Sequence, residues 1–85
     1  MKNQNCLVLS VEYVIHPRGH IVEHNEYSKV LQGNDQKAQK MAKDIHDELV
    51  ATRKIQGDGH SFTLITILFG PKGLLSVSTT GSAKK

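Results

Sequence analysis

One cysteine, two prolines, no tryptophan and only four aromatic residues make this an 85-residue chain with few of the groups that announce a function. Cys6 stands alone, which excludes an intrachain disulfide and a cysteine-rich metal site and fits a reducing compartment. No long hydrophobic run is present. The segment after the polar Met1-Lys2-Asn3-Gln4-Asn5 is interrupted by Ser10 and Glu12, so neither a signal peptide nor a membrane span is expected, and a cytoplasmic setting is the default reading. A strong excess of one charge is also missing. Of eleven Lys and Arg, Lys2, Lys84 and Lys85 belong to the ends, which leaves eight in the body against eight Asp and Glu. Nucleic-acid domains carry their basic excess on one face, and here it sits mainly at the termini.

What the chain does contain is alternation. Ser61 to Phe69 is β-branched and aromatic without Gly or Pro, with Thr63, Ile65, Ile67 and Phe69 on one side and Phe62, Leu64 and Leu68 on the other. A strand of this kind needs cover on both faces. Cys6 to His16 alternates as well, placing Leu7, Leu9, Tyr13 and Ile15 opposite Val8, Ser10, Glu12 and Val14. Pro17-Arg18-Gly19 predicts a three-residue hairpin loop with Gly19 in the left-handed position, which sets Ile15 against Ile21, Tyr13 against Glu23 and Glu12 against His24. The second strand, from His20 to about Leu31, is less regular because Glu23 and Asn25 share the alternation of Ile21 and Tyr27. A bulge near His24 to Glu26 or an edge position explains this, and the edge is preferred.

Gly33-Asn34-Asp35 ends that strand and supplies an N-cap. Ala38, Met41, Ala42, Ile45, Leu49 and Thr52 then recur at helical spacing, predicting one amphipathic helix from Asp35 to Lys54, closed through Gly57. Gly70-Pro71-Lys72-Gly73 is a turn signal, and Leu74 to Thr80 returns as the fourth strand. The expected architecture is α+β: β-β-α-β-β, a four-stranded antiparallel sheet in the order 2-1-3-4 with one helix packed on one face. It forms one domain over 1–85, with an ordered core of about 6–80 and polar tails at 1–5 and 81–85.

One helix covers one face. Assigned to it are Leu7, Leu9, Tyr13, Ile15 and the matching side of the third strand, which leaves Phe62, Leu64, Leu68, Val14 and Val22 uncovered. A large exposed apolar patch on a small protein predicts association. The leading reading is therefore a non-enzymatic protein-interaction module that forms a homodimer through its sheet, with a separate protein partner also compatible with that surface.

The competing reading is a nucleic-acid-binding or regulatory module using Lys37, Lys40 and Lys43 at the helix start, with Arg18, Lys72 and the terminal lysines. Acidic residues interleaved on the same helix and the scarcity of aromatics argue against it. Lys37 has no role in the predicted fold and is a mild pointer toward an outside partner. His16, His20 and His24 suggest metal, but Pro17 and Gly19 break any helical spacing, and His20 and His24 lie roughly 13 Å apart along a strand. At most His16 and His20 share an ion, so no metal or cofactor is assigned. His46 borders the apolar stripe of the helix and reads as a partly buried or hydrogen-bonded histidine. Gly57-Asp58-Gly59-His60-Ser61 lacks phosphate-loop spacing and an orienting carboxylate, so no catalytic residue is assigned.

Overall fold

A computed structural model describes residues 4–54 and 59–82, and within these the side chains of all but residues 53, 54 and 82. Five elements follow in the expected order: β1 (Gln4–Ile15), β2 (Ile21–Gly33), α1 (Asp35–Lys54), β3 (Ser61–Gly70) and β4 (Gly73–Ser82). The sheet order is β2-β1-β3-β4 and all neighbours are antiparallel. β1 and β4 run further than the sequence pattern suggested, from Gln4 and to Ser82. The expected C-cap at Gly57, together with Lys2, Lys84 and Lys85, lies outside the described residues. No described helix is long and apolar enough to cross a membrane.

Local chemistry accounts for each break. Gly19 adopts φ 100, the left-handed conformation that side chains disfavour, and its amide donates to the His16 carbonyl at 2.7 Å, closing the loop over Pro17 and Arg18. Asn34 is the N-cap of α1: its side-chain oxygen accepts from the Lys37 amide at 2.8 Å, while its carbonyl accepts the Ala38 amide at 2.9 Å. Gln4 also donates to the Asp35 carboxylate, tying the start of β1 to the start of α1. Lys37 does have a structural role. A Cβ built on the buried Gly33 would meet the Lys37 Cδ at 3.3 Å, so the aliphatic stem of Lys37 lies across that glycine.

Two further sequence expectations differ from the structure. The first concerns register. Ile15 does face Ile21, but β2 carries one extra residue at Val22, after which Val14 pairs with Glu23, Tyr13 with His24 and Glu12 with Asn25. Because side chains alternate with a period of two, this one-residue slip moves every later residue of β2 to the other face. β2 is an edge strand, as preferred, and the irregularity lies ahead of the position considered for it.

The second concerns which face the helix covers. Val14, Phe62, Leu64 and Leu68 are buried, and Leu68 clusters with Cys6, Val8, Leu31, Ala38 and Ala42. α1 therefore packs on the alternation expected to be uncovered, and four of the five residues assigned to association are core. Only Val22, at the irregularity, is exposed. Small side chains at Ala38 and Ala42 let the helix axis approach the sheet closely, while Met41, Ile45 and Leu75 close the margins. Burying Leu64, Leu68 and Val8 contributes about 1.5 to 3 kcal/mol each.

Candidate functional site: the uncovered sheet face

The face left open is the more apolar of the two. Its rows follow from the register. Val30, Leu7, Phe69 and Leu74 lie side by side across the four strands, followed by Ser28, Leu9, Ile67 and Val77, and then by Glu26, Val11, Ile65 and Thr79. Tyr13 and Thr63 continue the two central strands, and Ile15 with Ile21 closes the far end. Leu7, Phe69, Leu74, Val77, Val30 and Ile21 are all exposed. Leu9, Val11, Ile15, Ile65 and Ile67 are half-buried by their neighbours on the same face, and no described element is laid over them. The Glu26 carboxylate is the formal charge in those rows, and it stands on edge strand β2 beside His24, 3.3 Å from that ring's Nε2. Tyr13 stacks on His24 with ring centroids 4.8 Å apart. The centre is thus largely aliphatic, and the ionisable groups of these rows, His24 and Glu26, lie on the β2 rim.

The covered face holds the polar groups. Ser10 and Thr66 are buried beneath α1, and the helix reaches them with His46, itself only 3% exposed. His46 Nδ1 lies 2.6 Å from the Thr66 hydroxyl, Nε2 lies 2.7 Å from the Thr80 hydroxyl, and Ser10 joins Thr66 at 2.9 Å. A neutral imidazole satisfies this chain in either tautomer, since each hydroxyl can both donate and accept. Burial lowers the His46 pKa below its usual 6.5, Asp47 opposes the shift and Lys43 adds to it.

The sign for stability follows from that direction. Below pH about 6.5 the unfolded chain takes up a proton that folded His46 resists, so stability falls as pH drops through this range. Thermal unfolding of His46→Gln, which keeps a donor and an acceptor but does not titrate, should show a smaller loss between pH 7.5 and 5.5 than the wild type. Equal losses in the two proteins would contradict a buried neutral histidine.

Three of the other histidines gather at the loop end of the sheet. His16 and His20 stack at 4.6 Å, and His60 meets His16 edge-on at 5.4 Å. The His16 Nδ1 accepts the Arg18 amide at 3.0 Å. His24 lies apart with Tyr13 and Glu26, rather than with Glu12, which accepts from Asn25 at 3.0 Å. Among the described residues, no group of three or more His, Cys, Asp or Glu is disposed to hold a metal ion.

The basic residues do not form one patch. Lys40 and Lys43 line an open groove between α1 and β4 with Gln36, Gln39, Ser76 and Ser78. Lys37 and the Lys72 turn lie near the same end of the sheet, because Gln4 pairs with Gly33 and Leu7 with Phe69. Arg18 is in the loop after Ile15, at the opposite end of a molecule 50 Å long.

The molecule is thus an α+β domain with one sheet face under a helix and the other open. No family model matches the chain, and no curated protein or solved structure matches it significantly.

Proposed function

We propose that this protein is a non-enzymatic interaction module that forms a homodimer by stacking the open faces of two sheets, with the cytoplasm as its setting. One observation carries the reading: the helix covers the face that holds Ser10 and Thr66, and among the described residues nothing covers the more apolar face. The area is sufficient. Four strands spaced about 4.8 Å apart, each contributing roughly ten residues at about 3.3 Å, give a face of about 600 Å². Two such faces together withdraw about 1,200 Å², the lower bound of standard stable interfaces. An aliphatic centre with a polar rim is the composition of homodimer contacts, and a two-fold axis lets one patch complement itself.

The absence of an enzymatic role is supported by where the polar groups lie. His46, Thr66 and Ser10 are buried between helix and sheet, away from a substrate, and the chain comes nearer the surface only at the half-buried Thr80. The nucleic-acid reading has weaker support, since Arg18 is far from Lys40 and Lys43. Cys6 is a free and buried thiol, which suits a reducing setting. Sedimentation equilibrium across the micromolar range tests the proposal. A mass approaching twice the 9.4 kDa chain is expected, and a monomer at 100-fold higher protein concentration would sink the dimer.

A further inference from the structure

The two edges of the sheet are built differently. β2 carries Glu23, His24, Glu26 and Lys29 along its length and is interrupted at Val22, both devices that discourage further strand pairing. β4, from Gly73 to Ser82, carries no charged residue, and its outer side has no neighbour among the described strands. Alongside this bare edge runs the groove of Lys40, Lys43, Gln36 and Gln39, with Ser76 and Ser78 as its floor. We infer that β4 is an acceptor for an added strand, and that its partner is an extended peptide segment alternating acidic and apolar residues.

The geometry sets that pattern. A strand hydrogen-bonded to β4 lies about 4.8 Å further out and presents alternate side chains to opposite faces. Those on the helix side enter the groove beside Ser76 and Ser78, next to the Lys40 and Lys43 ammonium groups, so carboxylates fit there. Asp47 is an acidic group near this groove, one helical turn beyond Lys43, as the exposed Asp44 is beyond Lys40. Asp47 lies 3.6 Å from the Lys43 ammonium, and both side chains are well exposed, so an incoming carboxylate competes for that lysine in a salt-sensitive way. Side chains on the opposite alternation lie beside Val77 and Thr79 and extend the open apolar face, so aliphatic residues fit there.

A second copy of this chain fits poorly. Pairing β4 with itself about a two-fold axis brings Lys40 and Lys43 of both protomers to one seam, where like charges repel. The β2 edge of another copy presents Lys29 together with Glu23 on the helix side and is broken at Val22. This acceptor edge is distinct from the stacked face proposed for the dimer and does not depend on it.

The probe is a fluorescein-labelled peptide of alternating Glu and Val, with the Lys-Val peptide and a single-stranded oligothymidine as comparators. Saturable binding of the Glu-Val peptide is expected, weakened at least 10-fold in the Lys40→Glu, Lys43→Glu double variant and by raised salt. Amide hydrogen exchange at alternate positions over 74–80 should slow on binding. Both lysines are exposed, so the double variant should keep the wild-type circular dichroism spectrum. The variant Ile67→Glu, altered on the open face, should bind the peptide as the wild type does. Equal binding of the Lys-Val peptide would overturn the inference, as would peptide binding without protection of β4. Binding of oligothymidine alone would do the same by assigning the groove to nucleic acid.

Discussion

Ile67→Glu is expected to hold the protein as a 9.4 kDa monomer at concentrations where the wild type sediments at twice that mass. Ile67 lies on a central strand between Leu9 and Val77, in the middle row of the open face. Stacked sheets bring such positions within side-chain reach across a gap of about 10 Å. The two-fold axis then places two carboxylates in one apolar layer, with His24 and Glu26 out at the β2 rim. Juxtaposed like charges cost several kcal/mol, so the dimer dissociation constant should rise by about 100- to 1,000-fold. The folded monomer should tolerate the change at a cost of about 1 kcal/mol, the scale of strand propensity differences. A dimer of unchanged affinity carrying Ile67→Glu would move the contact away from this face.

The second large effect belongs to the adjacent residue. Leu68 is fully buried and touches the layer formed by Val8, Ala38 and Ala42. Leu68→Ala removes that packing and leaves a cavity under the helix, at a cost of about 2 to 5 kcal/mol. In a domain of this size the melting temperature should fall by roughly 10 to 25 °C. Ile67→Ala, measured at a concentration low enough to keep the protein monomeric, should cost about 1 kcal/mol. The contrast between two neighbouring residues reads out directly which alternation faces α1. Equal losses would mean that the helix does not distinguish the two faces.

Much of this architecture was legible in residue pattern alone. The alternation from Cys6 to His16 and from Ser61 to Phe69, the Pro17 to Gly19 loop and the helical spacing from Ala38 to Leu49 each have a local cause. Together they led to the observed strand order. A partly buried or hydrogen-bonded His46 was also readable from its place at the border of the stripe, though its near-complete burial and its partners were not. Thr66 and Thr80 are 20 and 34 residues away in the chain and meet His46 only through the packing of α1 on β3 and β4.

Face assignment was not legible, and the reason is specific. Alternation divides a strand into two sides without saying which one a later helix will cover. By apolar content alone the helix belongs over Leu7, Leu9 and Ile67. It packs instead over Val8, Ser10, Thr66 and Leu68, where Ala38 and Ala42 fit closely and His46 satisfies the hydroxyls. The extra residue at Val22 was equally hidden, because a one-residue slip leaves composition unchanged while exchanging every side chain that follows.

The sequence by itself determined the elements, their order and the presence of more apolar sheet surface than one helix can cover, because these follow from local periodicity and length. Only the tertiary structure decided that the uncovered surface is the side of Leu9, Ile65 and Ile67, with Phe62, Leu64 and Leu68 sealed beneath α1. That choice depends on contacts between segments distant in the chain, where close packing and the pairing of buried hydroxyls outweighed the burial of the more apolar side.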